Sequence, residues 1–577
     1  MLCPAHAGPD ILRFGEVRAG MRGTGRTVFE GTTISTFEVE IVGTLPDIGP
    51  GRNLILARLA GGPLARTGVL SGMSGSPVTI DGKLVGAVAL TWGFATEPIA
   101  GITPIEEMLA VADVEGGRRA AAGSFAPDLA RLSDPERAHA FLVGRAGSML
   151  LAGSPVQPAI PLSVSGIEPG AFERLWPGVG RAGFLPVQAG AAGRSAAAPP
   201  PIEPGSAMAV KLVRGDVEVA ATGTVTWIEG NRVLALGHPL FGLGAIDLPL
   251  AGATVETLLP SVMQSVRIAR PLGEVGALRQ DRAAGVAGLL GAQPHMIPVR
   301  LLLRSDSEPD AAFSFDVADH PLLGPLLLYA STSGILATKQ RAVGSATVRL
   351  GQGSIIKLAD REDVDLANVF AGPTAFEFGT GVTAYILYLL MNNSWSEPRV
   401  GGVNLVVEYT DDLRTARVHR ASVDRHRVAP GDDIEVTVVL RPYRGPDRPL
   451  VRTIHIPEDA RPGTLRVEIG GALAITRYEE APDEPVHPRD LDHLIRLVNQ
   501  LRRNDRVYIL VTGDDTGALV DGSRMPNLPP SATSILSRPH RRDGVTFLSR
   551  RALIEEELRT EWAVSGAASI DIEVAPR

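Results

Sequence analysis

The stretch "GVLSGMSGSPVTIDGKLVGAV", Gly68 to Val88, sets the reading of the whole chain. Its first half frames three serines with glycines. Its second half alternates apolar and polar residues about Asp81-Gly82, a dipeptide suited to the type I′ turn of a two-residue hairpin. Glycine on both sides of Ser74 lets the backbone bend sharply and turn amide N–H groups inward, as an activated serine and its oxyanion hole require. The same glycines also suit a plain turn.

Outward from this stretch, "STFEVEIVGTL" (35–45) and "NLILARL" (53–59) carry strand patterns. In "GITPIEEML" (101–109), Thr103 and Glu106 form a capping box with Pro104 at the first helical position, which predicts a short helix closing a unit over 10–112. Residues 113–205 are Ala/Gly/Pro-rich and end in "AGAAGRSAAAPPPIEPGS" (189–206). That tract has no periodicity and reads as a flexible linker, open to proteolysis between about 186 and 204. A second strand-rich unit follows over 206–350, with a turn at 229–231. In 351–478, Ile434, Val436, Val438 and Leu440 share one face, as do Leu465, Val467 and Ile469, the pattern of a β-sandwich. The tail, 479–577, places Leu491, Leu494, Ile495, Val498 and Leu501 on a helical stripe before the buried-strand pattern "RVYILVTG", a small α/β element.

Composition agrees with this partition. A chain of 577 residues exceeds what one core organises, and 44% hydrophobic against 21% charged residues excludes wholesale disorder. The 64 glycines and 45 prolines, beside few aromatics, favour short strands and turns, so the fold is mainly β. A net charge of −8 without a long Lys/Arg run leaves no footprint for nucleic acid. A single cysteine, Cys3, permits neither an intrachain disulfide nor a cysteine zinc cage. The apolar "TAYILYLLM" (383–391) is too short for a transmembrane segment. The N-terminal "MLCPAHAGPD" has no basic or apolar leader segment, which leaves a cytoplasmic chain or a start further upstream.

A serine hydroxyl needs a base, and the best placed of eleven histidines is His238 in "VLALGHPLFGLG", where an apolar strand ends at Gly237. The imidazole emerges there into a tight loop; its other reading is a packed histidine bonded to a carbonyl. His419, His426, His487 and His493 sit among charged residues without metal-ligand spacing and read as solvated.

These segments resemble a known family. "GVLSGMSGSPVTIDGKLVGAV" is similar to the serine motif of the SpoIVB peptidase family. "TGTVTWIEGNRVLALGH" (222–238) is similar to its histidine segment, and "LGEVGALRQDRAAGVAGLLG" (272–291) to the stretch that follows. The resemblance covers about 10–112 and 205–300. It implies two chymotrypsin-like β-barrel halves, an extracytoplasmic serine peptidase acting on a protein or peptide, Ser74 as nucleophile and His238 as general base, and no metal or organic cofactor. Gly72 and Ser74 supply the oxyanion amides and Ser76 steadies the turn.

Two departures stand out. Ser74 lies 164 residues before His238, the reverse of the family's order, although a triad is defined by geometry. The stretch before the serine, "ARLAGGPLARTG", holds no carboxylate. Asp281, 43 residues after His238, is the first candidate acid; its alternative role is an ion pair with Arg279 or Arg282. Asp247 and Asp47 follow. Three functions fit: a serine endopeptidase on a separate substrate, a peptidase that processes its own linker, or a peptidase-fold scaffold that binds extended peptides without cleaving them.

Overall fold

The computed structural model describes residues 10–93, 95–113, 128–132, 134–167 apart from 151–158, 183–188, 199, 201–306, 308–338, 344–479, 488–513, 517–520, 523–525, 530–536, 545–548 and 551–576. Contacts divide the chain into two compact units. One comprises residues 1–122, 143–299 and 314–339; the other comprises 123–142, 300–313 and 340–577.

The first unit is built on two closed strand circuits. In the first, β1 (Arg22–Glu30), β2 (Thr33–Gly49), β3 (Arg52–Ala60), β4 (Pro77–Ile80), β5 (Lys83–Thr91) and β6 (Ile99–Pro104) pair in the order β1-β2-β3-β6-β5-β4 and close on β1. Phe37, Val39, Ile41, Ile55, Leu59, Val78, Val85 and Ile102 fill its interior. The β4–β5 hairpin turns at Asp81 (φ 49°) and Gly82 (φ 77°), the two positive angles that a type I′ turn needs.

The helix Ile105–Ala112 forms as expected, but the capping box does not. Thr103 stays extended because β6 pairs with β5 through Pro104, and its hydroxyl donates instead to the Gly237 carbonyl at 2.7 Å. Tertiary strand pairing overrides the local capping signal here.

Two strands come from the stretch read as a linker: β7 (Ile160–Ser165) and β8 (Phe184–Gln188), which pair in parallel. Ile160, Leu162 and Val164 are buried, which is what holds β7 in place. Residues 189–198 of the Ala/Pro tract lie outside the described residues. The second circuit follows: β9 (Ala207–Gly215), β10 (Glu218–Glu229), β11 (Arg232–Ala235), β12 (Gly244–Leu259), β13 (Val266–Arg282) and β14 (Gly285–Leu290). They pair as β9-β12-β13-β14-β11-β10, and the β10–β9 ladder closes the ring. A face of small side chains on this circuit, Ala207, Ala209, Ala220, Ala251, Ala253 and Ala269, packs with Val28 of β1. The two-barrel expectation therefore holds.

The second unit contains the sandwich. Strands Thr415–Val423, Asp433–Pro442, Arg448–His455 and Ala563–Ser565 form one sheet; Arg427–Val428, Gly463–Gly470, Arg506–Gly513, Arg551–Arg559 and Ala567–Val574 form the other. Ile434, Val436, Val438 and Leu440 share a core with Leu465, Val467 and Ile469. The terminal helix Leu491–Asn499 and strand Arg506–Gly513 are both present, and the strand pairs with Gly463–Gly470, making the tail continuous with the sandwich. His493 is buried rather than solvated, its Nδ1 accepting from the Arg489 amide at 3.2 Å; His487 lies outside the described residues. The segment 383–391 belongs to the helix Ala375–Met391, and among the described residues no helix is long and apolar enough to cross a membrane.

Candidate active site

The serine turn is anchored at both ends. Leu70 and Met73 are buried in the core of the first barrel, so the residue before Ser74 acts as a plug. The Met73 carbonyl accepts from the Ser76 amide (2.9 Å) and from the Ser76 hydroxyl (2.6 Å), while the Gly75 amide donates to Val88 of β5 at 2.8 Å. Gly72 (φ 98°) and Gly75 (φ 96°) take the positive angles that the bend requires.

The second barrel grips the other side of the turn through β10. The Thr224 amide donates to the Ser74 carbonyl at 2.8 Å, the Thr224 hydroxyl to the Gly72 carbonyl at 3.0 Å, and the Thr226 hydroxyl to the Gly75 carbonyl at 2.8 Å. The carbonyls are thus drawn toward β10. The amides of Gly72 and Ser74 donate to no partner among the described residues, which leaves two N–H groups for an incoming oxygen.

His238 follows β11 in a loop held by the same strands. The Leu236 amide donates to the Thr224 carbonyl at 3.4 Å, so the Thr224 residue links to the serine turn through its N–H and to the histidine segment through its C=O. A Cβ on Gly237 would lie 3.1 Å from the Ala89 Cβ, on the strand whose Val88 holds Gly75. His238 is 1% exposed. Its Nδ1 lies 2.8 Å from the Pro239 carbonyl; a carbonyl only accepts, so Nδ1 carries the proton and Nε2 keeps its lone pair. That Nε2 is buried with no hydrogen-bond partner among the described residues, and no bond joins it to the Ser74 hydroxyl in this state.

Among the described residues Asp281 neither bonds to the imidazole nor pairs with an arginine. Its Oδ1 accepts from Leu240 (2.7 Å), and its Oδ2 from Phe241 (2.8 Å), Gly242 (2.8 Å) and Leu243 (3.3 Å), four consecutive backbone amides immediately after Pro239. Burial pushes the Asp281 carboxyl above its ordinary range, and those four amides work against that push. The carboxylate fixes the loop whose first carbonyl holds His238. Of the other two acids, Asp247 pairs with Arg279 at 2.7 Å and accepts from the His295 amide at 3.1 Å. Asp47 is exposed on β2, where its amide donates to the Asn53 side chain at 3.1 Å. Among the described residues no cluster of His, Cys, Asp and Glu has the makings of a metal site.

The His238 imidazole is pushed down to about 4, chiefly by burial and also by the Arg52 charge, with the Pro239 carbonyl opposing. It is neutral at pH 7, the state a general base needs. In the unfolded chain the same group titrates near 6.5, so on acidification the unfolded state takes up the proton first. The contribution to stability is complete above about 6.5 and is lost progressively as the pH falls toward 4, amounting to about 2 kcal/mol between pH 7 and pH 5. His238→Gln should remove that part of the pH slope in denaturation experiments at the two pH values. An unchanged slope would assign the acid sensitivity to other groups.

A serine turn is thus clasped between two closed six-stranded circuits, with a neutral histidine on the same supports, and the peptidase class is supported by a family match. Residues 12–109 match the family model SpoIVB peptidase S55, which places the resemblance on the first barrel and on Ser74. No curated protein and no solved structure gives a match to the chain.

Two contributors were not visible in the sequence. Thr103 anchors the residue before His238, and Arg267 lies buried beneath the serine turn, bonded to the Gly72 carbonyl. Arg267 belongs to no motif and Thr103 carries only a capping signal for the helix that follows it, and each meets its partner across more than 130 residues of chain.

Proposed function

We propose that this protein is a serine endopeptidase of the SpoIVB type acting on a protein substrate. His238 Nε2 takes the proton of Ser74 as its hydroxyl attacks the scissile carbonyl, the amides of Gly72 and Ser74 hold the oxyanion, and the imidazolium then protonates the leaving amine. The orienting group is the Pro239 carbonyl in place of a carboxylate, and Asp281 acts one step removed, through the 240–243 loop. The observation that carries this reading is the His238 tautomer: Nδ1 is committed to a carbonyl, and the buried Nε2 lone pair has no competing donor.

The test is covalent labelling of the intact chain by a fluorophosphonate probe. Labelling should be abolished in Ser74→Ala and fall roughly a thousandfold or more in His238→Gln. A chain that shortens on storage in the wild type and not in Ser74→Ala would make its own linker the substrate. A second reading, a peptide-binding member of the fold without turnover, draws on the engagement of Asp281 by backbone amides and on the missing Ser74–His238 bond. Folded wild-type protein that resists the probe at every pH between 6 and 9 would favour it.

A further inference from the structure

Arg267, on β13, has a fully buried side chain, yet no carboxylate pairs with it among the described residues. Its partners are neutral oxygens. Nη1 donates to the Val28 carbonyl (3.1 Å) and the Thr27 hydroxyl (3.4 Å) of β1; Nη2 donates to the carbonyl of Gly72, to that of Gly223 (2.6 Å) and to the Thr224 hydroxyl (3.2 Å). Nε has no partner among the described residues, and a Cβ on Gly72 would stand 3.2 Å from it. Burial pulls the guanidinium down to about 10, which still leaves it a cation at neutral pH.

Removing a charge from water is expensive, and the usual compensation is a buried counter-ion. Here the compensation comes from five dipoles, so the positive charge is solvated without being cancelled. Its field remains available to a negative charge that appears nearby. Its guanidinium holds the Gly72 carbonyl, and its own backbone amide donates at 3.0 Å to the Ser71 carbonyl, whose peptide carries the Gly72 N–H, one of the two amides without a partner among the described residues. A preorganised, uncancelled charge of this kind stabilises an anion that exists only during the reaction, and it needs no reorganisation when that anion forms.

We infer that Arg267 is a positioning residue for the oxyanion: its backbone amide holds the Ser71 carbonyl, so that the Gly72 N–H of the same trans peptide points the opposite way, its guanidinium fixes the Gly72 carbonyl, and it supplies an unpaired buried positive charge behind the site. This rests on the serine-peptidase reading. Gly72 and Ser74 make the contact with the oxyanion, and Arg267 acts through them.

The experiment compares wild type, Arg267→Lys, Arg267→Gln and Arg267→Met as full chains. The rate of fluorophosphonate labelling at Ser74 is measured per folded molecule, well below each variant's Tm. Loss of charge should slow labelling about a hundredfold in Arg267→Gln and Arg267→Met, while Arg267→Lys stays within about tenfold of wild type. A role in packing or hydrogen bonding alone predicts the opposite order, because glutamine keeps two donors and no charge, whereas lysine cannot span both carbonyls and β1. Equal rates in all four proteins, or a folded Arg267→Lys slowed as much as Arg267→Met, would overturn the inference while leaving the peptidase reading intact. An unlabelled wild type would remove both. Should the neutral variants not fold, Arg267→Lys alone decides: a folded lysine variant slowed more than a hundredfold overturns the role of charge.

Discussion

Gly75→Ala is expected to cost on the order of 4 kcal/mol or more and to leave little folded protein. A Cβ at this position would lie 1.9 Å from the Thr224 carbonyl oxygen and 2.6 Å from the Leu236 amide nitrogen. Both are backbone atoms, one on β10, which grips the turn, and one in the segment leading to His238, so neither can rotate away. The residue's φ of 96° adds conformational strain for any L side chain. Gly82→Ala is the control: φ there is 77°, but nothing stands within 4 Å of the new Cβ, and the cost should stay near 1 kcal/mol. Denaturant midpoints of the two variants separate close approach from backbone strain. If Gly75→Ala proved no less stable than Gly82→Ala, the clasp between the serine turn and β10 would be wrong.

The second large effect is at Asp281. Asn keeps one carbonyl oxygen and turns an NH₂ toward amides that need acceptors: with the oxygen in the Oδ2 place it satisfies Phe241, Gly242 and Leu243, and opposes a donor to Leu240. The charge that strengthens all four bonds is lost as well. We expect Asp281→Asn to destabilise the first unit by about 2–3 kcal/mol and Asp281→Ala by about 3–5 kcal/mol, with the 240–243 amides exchanging faster with solvent. A carboxylate that orients the histidine directly would behave differently. Its Asn variant keeps full stability and loses about four orders of magnitude in turnover, through the wrong tautomer. Stability and labelling rate measured on the same variant tell the two roles apart.

What could be read along the chain was whatever depends on near neighbours. Asp81-Gly82 makes its turn from its own two φ angles, and the alternation at Ile434 to Leu440 and the stripe at Leu491, Leu494, Ile495 and Val498 appear as buried faces because strand and helix periods are local properties. The glycine spacing around Ser74 likewise gave the bend, since positive φ is a property of single residues. Tertiary structure decided everything that depends on which strands meet. Thr103 carries a capping signal, but β5–β6 pairing kept it extended and handed its hydroxyl to Gly237. Asp281 lies between Arg279 and Arg282, where a triad acid and an ion pair were the two readings; the ring closure of the second barrel set it instead beneath the loop after His238, bonded to that loop's amides. Arg267 shares a strand face with Ala269, and only the approach of β1, the serine turn and β10 creates the oxygens that allow it to be buried. Burial of a polar group requires partners from distant segments, and a single sequence carries no local record of those encounters.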